Sequence, residues 1–302
     1  MSDLVPPEQY LQQIQSALAY LENELPRSHL SPKSLIICGS GLGGLSSLLQ
    51  DAIDIPYSSI PNFQTSTVPG HEGKLSFGFI GSNRVAVVCM VGRLHFYEGY
   101  TFQETTFPIR VLSKLGVETL VVTNAAGGVR PGFKPGDLMV IWDHLNIPGF
   151  AGYHPLRGPN LAEFGVRFQP LSDAYDLKLR QLFFRKCKEL QISRSVHEGT
   201  YFYASGPTFE SRAEVRAIHL MGGDAVGMST VPEVIVARHS GLRVLALSLI
   251  TNAAVIEYPP SGMDEQHVDM AEGIASHAEV LEYANEASKD VERIIEAVVN
   301  DF

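Results

Sequence analysis

The feature that most constrains this chain is an apolar run that leads directly into a glycine-rich turn. Ser34-Leu35-Ile36-Ile37-Cys38 is followed by Gly39-Ser40-Gly41-Leu42-Gly43-Gly44. Because glycine has no Cβ, such a turn lets the backbone approach a ligand closely and direct several N–H groups towards it. The leucine spacing over 42–49 predicts a helix after the turn, whose N-terminus would favour an anion. The stretch therefore predicts a buried strand followed by an anion-binding turn.

The turn alone leaves the identity of the anion open. Gly39, Gly41 and Gly44 satisfy the dinucleotide pattern G-x-G-x-x-G, which makes a nicotinamide or flavin cofactor one alternative. That alternative expects an acidic residue about 20 positions further on. Asp51 and Asp54 come too early, and the region around residue 60 has no carboxylate at a strand end. A glycine-rich turn without any ligand is the other alternative.

Composition excludes several classes of partner. The chain has 302 residues and a formal net charge of -10, which repels polyanions and argues against nucleic acids and anionic membranes as partners. Three cysteines without metal-ligand spacing, no apparent secretory signal and no apolar run of bilayer length predict a cytoplasmic, soluble protein. Without linkers or internal repeats, we expect a single domain over residues 1–302.

Helical and strand patterns alternate along the chain. A helix is predicted over 7–24, and a hairpin joins strands at 75–80 and 84–91. Further strands are predicted at 118–123, 137–142, 196–204, 224–228 and 243–249, and further helices at 107–115, 174–190, 211–221, 230–240 and 276–299. Ser211 and Glu214 form a capping box that starts one of these helices. The alternation predicts an α/β fold with a mixed sheet covered by helices.

The polar residues of unusual type concentrate where predicted strands end. Ligands of such sheets bind beyond the carboxyl ends of the strands. Arg93, His95 and Tyr97 are two apart, so in an extended segment they project to one side. A guanidinium and an imidazole on one side of the segment favour phosphate binding. The other interpretation, a surface loop held by salt bridges, is the weaker one. The small residues at 125–128 predict a second turn. Either its backbone amides bind an anion or a sugar, or it is a plain tight turn without a ligand.

A second group of residues suits a planar heterocycle. Phe209 offers a stacking surface, and Glu210 either accepts ring N–H groups or only complements the helix that starts at Ser211. The amide of Asn252 can donate to one atom of a heterocycle and accept from another. His277 lies at the start of the last predicted helix. The simplest expectation is that it is exposed and has no functional role. The long segment 144–172 predicts a functional loop or an interface.

Together these motifs resemble the trimeric, 6-oxopurine-preferring purine nucleoside phosphorylases. The resemblance covers most of the chain in seven motifs, at residues 37–43, 66–71, 92–100, 123–128, 206–210, 227–233 and 251–252. It implies one domain with a central, mixed, partly barrel-like sheet flanked by helices. It also implies reversible phosphorolysis of inosine and guanosine to free base and ribose 1-phosphate, in purine salvage. Inorganic phosphate would be the co-substrate, with no metal or other cofactor, in a homotrimer.

The resemblance also implies roles for individual residues. Phosphate would be bound by Ser40, His71, Arg93, His95, the amide of Ala125, and Ser229. Ribose would be contacted by Tyr97, Met228, His277, and Phe168 from a neighbouring subunit. The base would be held by Phe209, Glu210, Val226 and Asn252. Of these, His95, Glu210 and Asn252 would carry the catalysis.

Three alternatives stay open at this point. A methylthioadenosine phosphorylase would keep the phosphate motifs, but relatives of that kind tend to carry aspartate in place of Asn252. A nicotinamide dehydrogenase is disfavoured by the missing ribose-binding acid. A non-catalytic nucleoside-binding protein is disfavoured because it would not need a complete set of phosphate ligands.

Overall fold

Nine strands form one mixed sheet in the computed structural model, which describes residues 4–39, 42–67, 72–263 and 277–302. The strand order is β2-β3-β4-β1-β5-β8-β7-β6-β9, with a further pairing between β5 and β9. The strands are β1 (Ser34–Cys38), β2 (Gln50–Pro56), β3 (Lys74–Ile80), β4 (Val85–Val91), β5 (Thr119–Gly128), β6 (Leu138–Asn146), β7 (Val196–Tyr203), β8 (Ala225–Gly227) and β9 (Arg243–Ala253).

The extra pairing closes part of the sheet into a barrel. Because β5 pairs with both β8 and β9, strands β5-β8-β7-β6-β9 form a ring, and β1, β4, β3 and β2 extend from it as an open sheet. Parallel pairs such as β1–β5 occur beside antiparallel pairs such as β3–β4. The expected mixed, partly barrel-like α/β architecture is confirmed.

Strand β5 changes partner part-way along one edge. Its first residues pair with β1, and the last of these pairs is Ile37 with Val122. Its last residues pair with β8, beginning at Gly127 opposite Val226. Residues 123–126 therefore lie between the two strand partners on this edge, while β9 pairs along the other edge. This gap is where ligands bind in open α/β sheets, since neighbouring strands diverge there.

Helices cover both faces of the sheet. Alternate residues of β1 show why: Leu35 and Ile37 belong to a core cluster on one face, and Ile36 and Cys38 to a cluster on the other. A strand buried on both faces is continuously apolar, as this one is. The helices are α1 (Pro7–Glu24), α2 (Phe102–Lys114), α3 (Ile147–Phe150), α4 (Leu177–Glu189), α5 (Arg212–Leu220), α6 (Val231–His239) and α7 (His277–Val299).

Several local predictions are confirmed. The strands predicted at 75–80 and 84–91 form an antiparallel hairpin as β3 and β4. Ser211 caps α5, where its Oγ accepts from the Glu214 N–H at 3.3 Å and its own N–H donates to Glu214 Oε2 at 2.7 Å. The three cysteines are buried and free. No helix in the described part of the chain is both long and apolar enough to cross a membrane.

The helix predicted after the glycine-rich turn is wrong in type. The structure has a six-residue 3₁₀ helix, Gly43–Leu48, followed by strand β2, which was not predicted. Leu42, Leu45 and Leu48 are three apart, the repeat of a 3₁₀ helix rather than of an α-helix. So short a helix lacks the long array of peptide dipoles on which the predicted anion site partly depended.

The turn predicted at 125–128 is also wrong, because these residues continue β5. Small side chains fit here because neighbouring residues approach closely: a Cβ on Gly128 would lie 2.9 Å from the Phe133 Cβ. The long segment 144–172 begins with the end of β6 and the short helix α3, and is irregular after Phe150 apart from turns.

The contact between the glycine-rich turn and β5 generates a stability prediction. A Cβ on Gly39 would lie 2.6 Å from the Thr123 carbonyl oxygen and 2.9 Å from the Asn124 Cα. Because both atoms belong to the backbone of a central strand, we expect Gly39→Ala to lower the free energy of unfolding by about 1–3 kcal/mol. Gly43→Ala is the matched control, since its nearest neighbour would be 3.9 Å away. Urea denaturation of both variants tests this, and equal stabilities would contradict it.

Candidate active site

Arg93 lies at the centre of the buried polar groups beside the gap in β5. It follows β4, and only 3% of the residue is exposed. Its Nη2 donates to the Thr123 carbonyl at 2.8 Å, and its Nη1 donates to Ser229 Oγ at 2.6 Å. Its Nε lies 2.9 Å from Glu233 Oε1. The guanidinium therefore joins the edge of β5 to the start of α6.

The start of α6 is built around this arginine. Thr230, the residue before the helix, has a left-handed backbone with φ of 75°, an unusual conformation for a β-branched residue. Its Oγ1 accepts from Asn124 Nδ2 at 2.9 Å and lies 3.5 Å from Arg93 Nη1. Burial raises the pKa of Glu233, and the adjacent guanidinium of Arg93 opposes that shift. The two charges offset each other in the protein interior.

The glycine-rich turn reaches the same strand residue. The Gly39 N–H donates to Thr123 Oγ1 at 2.9 Å, and that hydroxyl donates to the Ile37 carbonyl at 3.0 Å. Since the Thr123 carbonyl accepts from Arg93, one residue of β5 contacts both segments. The glycine-rich turn and Arg93 therefore both bond to Thr123. Ser40 and Gly41, like His71, lie outside the described residues.

His95 is held by Glu98 in a short 3₁₀ turn. Glu98 Oε1 accepts from the His95 backbone N–H at 2.8 Å and lies 3.0 Å from Nδ1, and His95 is 7% exposed. The second carboxylate oxygen accepts from the Thr67 N–H at 2.6 Å and from the hydroxyls of Thr67 and Ser66. Burial raises the pKa of Glu98, but the hydrogen bonds from His95 and Thr67 outweigh it and bring the pKa to about 2.

Tyr97 connects this turn to the loop after β7. Its ring stacks on His95 with centroids 4.7 Å apart, and burial raises its pKa to about 12. A Cβ on Gly206 would lie 2.5 Å from Met228 Sδ and 3.1 Å from Tyr97 Cδ1. Gly206 also has a φ of +69°, so both the lack of space and the backbone conformation require glycine here. Tyr97 and Met228 therefore lie on either side of one glycine.

Val226 and Asn252 flank Gly127 on the two edges of β5. Gly127 pairs with Val226 of β8 and with Asn252 of β9, and a Cβ on it would lie 3.4 Å from Asn252 Nδ2. Thr251 is an extra residue in β9 at a register shift, and its Oγ1 donates to Asn252 Oδ1 at 3.2 Å. Such bulges redirect side chains and are frequent next to active sites.

Phe209 and Glu210 lie on the loop before α5. Phe209 is 49% exposed, and burial raises the pKa of Glu210. Glu210 lines a cavity of about 580 Å³ together with Phe202, Ile218 and Tyr153. No hydrogen bond joins Glu210 to Asn252 in the described part of the chain. Phe168 is 88% exposed, and the side chain of His277, the first residue of α7, lies outside the described residues.

The structure thus brings some predicted residues together and leaves others apart. Arg93 contacts Ser229, His95 contacts Tyr97, and Val226 and Asn252 share Gly127. Among the predicted site residues that the structure describes, Phe209, Glu210 and Phe168 make no such contacts. Within residues 4–39, 42–67, 72–263 and 277–302, no group of three or more His, Cys, Asp and Glu side chains could hold a metal ion.

Sequence reasoning missed Glu98 and Glu233 as parts of the site. Both lie inside motifs that were recognised, but neither received a role. The signal for Glu233 is its position as a single acid within the apolar run 231–237, where an unpaired carboxylate would be costly to bury. Glu98 gives a weaker signal, since a glutamate three residues after His95 also suits an ordinary helix start.

Comparison with known proteins identifies the class. Residues 33–300 match the family model described as Phosphorylase superfamily. The chain is 56% identical to the purine nucleoside phosphorylase of Saccharomyces cerevisiae over 100% of both chains. It is 52% identical to the Bos taurus purine nucleoside phosphorylase, over 90% of this chain and 89% of the bovine one. A crystal structure of Schistosoma mansoni purine nucleoside phosphorylase in complex with adenosine superposes with a TM-score of 0.86 at 38% identity, covering 97% and 98% of the two chains.

The fold and these matches define a phosphorylase, a class of enzyme that uses inorganic phosphate as a substrate; the purine nucleoside phosphorylases within it use no cofactor. Within that class, the chain belongs to the purine nucleoside phosphorylase family. The predicted enzyme class and reaction, phosphorolysis of purine nucleosides, are therefore confirmed.

The hydrogen bonds of Glu98 generate a pH-dependent prediction. Its pKa falls from a usual value near 4.5 to about 2 on folding, so the ionised form stabilises the fold above pH 4.5 and this contribution disappears as the pH falls through 2. Glu98→Gln replaces an acceptor with a donor facing His95 or Thr67. We expect it to cost about 2 kcal/mol at pH 7, with a smaller difference from the unsubstituted enzyme at pH 3.

Urea denaturation at the two pH values measures this difference. Glu118→Gln serves as the control, because Glu118 is exposed and pairs with Lys33 at the surface. A loss of stability that is equal at pH 7 and pH 3 would show that the ionised carboxylate of Glu98 is not the stabilising species.

Proposed function

We propose that this enzyme catalyses reversible phosphorolysis of 6-oxopurine nucleosides, inosine and guanosine and their deoxy forms, within cytoplasmic purine salvage. The products are the free base and ribose 1-phosphate or its deoxy form. The observation that carries the proposal is the buried Arg93, aimed at the gap in β5 beside Gly39 and Ser229. The nine-stranded sheet takes strands from residues 34 to 253, which supports a single domain over 1–302.

Phosphate is assigned to the gap in β5. Arg93, His95, Ser229 and the amide of Ala125 would bind it there, with Ser40 and His71 completing the set. In support, Arg93 already contacts Ser229, and Ala125 lies among the residues of β5 between β1 and β8. Glu98 Oε1 lies 3.0 Å from His95 Nδ1, a contact that fixes the direction of the imidazole ring. Glu233 would hold the fork of Arg93 in a fixed direction, as bidentate recognition of an oxyanion requires.

The nucleoside is assigned to the adjacent residues. Ribose would contact Tyr97, Met228, His277, and Phe168 of a neighbouring subunit. The base would lie against Phe209 and Val226 and bond to Glu210 and Asn252. In support, Tyr97 and Met228 lie together at Gly206, next to His95. The sugar would then be placed between the phosphate ligands and the base ligands, as the reaction demands.

The reaction breaks the bond between ribose C1′ and purine N9 and forms a bond between C1′ and a phosphate oxygen. Positive charge develops on the sugar and negative charge on the departing purine, which leaves with the electron pair and takes up the proton that hydrogen phosphate loses. The phosphate anion stabilises the first charge. The Asn252 amide donates to N7 and stabilises the second, while Glu210 fixes the orientation of the base. Because Thr251 donates to Asn252 Oδ1, the amide nitrogen is the atom available to N7.

A homotrimer with sites at the subunit boundaries completes the proposal. Its support is the exposure of large apolar side chains on the segment 144–172: Phe150 is 80% exposed, Tyr153 55% and Phe168 88%. Exposed apolar side chains concentrated on one segment mark interaction surfaces. A phenylalanine so exposed cannot contribute to its own subunit's core.

Activity on 6-aminopurine nucleosides is the alternative, as in a methylthioadenosine phosphorylase. One observation favours it: the Schistosoma mansoni relative was crystallised with adenosine. Asn252 favours the 6-oxo reading, since an aspartate there would accept from a 6-amino group and repel a 6-oxo oxygen.

Incubation of the enzyme with inosine, with and without inorganic phosphate, tests the proposal. We expect hypoxanthine to be released only when phosphate is present, and in an amount equal to ribose 1-phosphate. Parallel reactions with adenosine and methylthioadenosine serve as the comparison. Release of hypoxanthine without phosphate would indicate a hydrolase, and faster turnover of a 6-amino substrate would favour the alternative.

Asn252→Asp tests how the base is selected. The carboxylate replaces the donor to N7 with an acceptor, so the 6-oxo substrate loses a hydrogen bond and gains repulsion. We expect kcat/KM for inosine to fall about 100-fold or more, and some activity on adenosine to appear. Asn252→Ala is the matched control, which removes the amide without adding charge and should lower both activities. An unchanged ratio of inosine to adenosine turnover in Asn252→Asp would show that this residue does not set specificity.

A further inference from the structure

Residues 160–168, here called the strap, lie across the end of α6 and the side of α2. The strap ends in the exposed Phe168, whereas Asn160, Phe164 and Gly165 are half-buried. Two helices provide the contacts: Arg110 and Lys114 from α2, and His239, the last residue of α6. The strap is therefore attached to two helices, while Phe168 at its end is exposed.

Asn160 bonds both to α6 and to another residue of the strap. Its Nδ2 donates to the Gly165 carbonyl at 3.0 Å, which closes the strap into a compact loop. Its Oδ1 is then the acceptor for His239 Nε2 at 3.1 Å, so Nε2 carries the proton. Burial lowers the pKa of His239 to about 4, and the imidazole is neutral at pH 7. The bond is therefore an ordinary neutral one, unaffected by pH in the physiological range.

Phe164 joins the strap to α2. The guanidinium carbon of Arg110 lies 4.5 Å from the centre of its ring, and Lys114 Nζ lies 4.5 Å from the same ring. Arg110 is 3% exposed and donates from Nη1 to Ser240 Oγ at 3.0 Å, and it has no carboxylate partner in the described part of the chain. A buried cation of this kind is stabilised by the face of an aromatic ring. The ring of Phe164 is thus fixed by electrostatics as well as by packing.

Gly165 brings the two backbones into contact. A Cβ at this position would lie 2.3 Å from the His239 carbonyl oxygen, a distance that no real side chain tolerates. Its φ is not in the left-handed region, so glycine is needed here for space alone. The strap can lie this close to the end of α6 only because residue 165 has no side chain.

We infer that Asn160, Phe164 and Gly165, here called the strap anchor, are positioning residues that set where Phe168 is presented to the neighbouring subunit. The inference rests on the proposed function, which assigns Phe168 to the ribose side of that neighbour's site. Only three residues separate Phe164 from Phe168, so a shift of the anchor is transmitted directly to the tip. An anchored strap presents the ring already ordered, and the nucleoside does not have to order it on binding.

The two roles predict different kinetic effects. Loosening the anchor should weaken nucleoside binding in the neighbouring site, but should leave phosphate binding alone, because Arg93 and Ser229 are not part of the strap. A merely structural role would lower stability or assembly and would change both KM values or neither. The separation of nucleoside KM from phosphate KM is therefore the readout.

The experiment compares the assembled enzymes Asn160→Ala, Gly165→Ala, Phe168→Ala and the double variant Asn160→Ala/Phe168→Ala, each checked for oligomeric state and melting temperature. Phe168→Ala should raise the KM for inosine about ten-fold through loss of an apolar contact. Asn160→Ala and Gly165→Ala should each raise it about three-fold or more, with the phosphate KM unchanged. The double variant should match Phe168→Ala within a factor of about two, since the anchor acts only through that ring.

Ala162→Ser is the matched control, because it changes an exposed strap side chain that is not part of the strap anchor. It should leave the inosine KM unchanged within a factor of about two. The inference is overturned if Asn160→Ala and Gly165→Ala assemble and keep the inosine KM, or if the effects of Asn160→Ala and Phe168→Ala multiply. It is equally overturned if Phe168→Ala has no effect in an active enzyme. Absence of phosphate-dependent cleavage by the unsubstituted enzyme would instead overturn the proposed function itself.

Discussion

The buried ion pair of Arg93 and Glu233 is the interaction on which the rest of the site depends. The guanidinium of Arg93, a residue that is 3% exposed, would be strongly destabilising without partners. Its Nη1 and Nη2 donate to Ser229 and Thr123, and its Nε lies 2.9 Å from Glu233 Oε1. Glu233 of α6 supplies the opposite charge. Ser229, two residues before that helix begins, supplies a hydroxyl, and Thr123 of β5 supplies a carbonyl. Removal of any one partner would leave a charge buried and incompletely paired. The pair therefore ties the position of α6 to the edge of the sheet.

This arrangement is possible only because β5 exchanges one neighbour for another. Between Val122, its last contact with β1, and Gly127, its first contact with β8, one edge of the strand faces the site. The carbonyl of Thr123 is available to Arg93 for this reason. Small residues follow because Val226 and Asn252 approach Gly127 from both edges. The closure of the barrel and the opening of the site are thus two consequences of the same strand pairing.

Helix α6 has a separate attachment at each end. Its first turn contributes Glu233 to Arg93, and its last residue, His239, contributes the hydrogen bond to Asn160. Between these ends residues 234–237 are apolar and buried, and Arg238 pairs with Asp173 at the surface, which leaves the helix little freedom to shift. A short, mostly buried helix of this kind holds a polar group in place at either end more firmly than a loop could. Arg93 of the site and the strap are therefore both attached to helix α6.

The sequence by itself determined the alternation of strands and helices, the β3–β4 hairpin, the start of α5 at Ser211, and the motifs that indicate a purine nucleoside phosphorylase. These follow from local pattern: apolar periodicity, turn residues and capping side chains act within a few positions. Arg93 and the glycine-rich turn each follow a strand, as expected, and they meet because neighbouring strand ends of one sheet lie at one edge. Residues 125–128 were mistaken for a turn because small residues are typical of turns, and nothing local indicates that two further strands pair with them.

Only the tertiary structure decided the closure of the barrel through β5 and β9, the 3₁₀ helix at Gly43–Leu48, and the bulge at Thr251 that directs Asn252. It also decided the roles of Glu98 and Glu233, whose partners cannot be inferred from spacing alone. Glu233 lies 140 positions from Arg93, and Asn160 lies 79 positions from His239. Pairing over such separations depends on how whole elements pack, and packing is a property of the folded chain rather than of any window of residues within it.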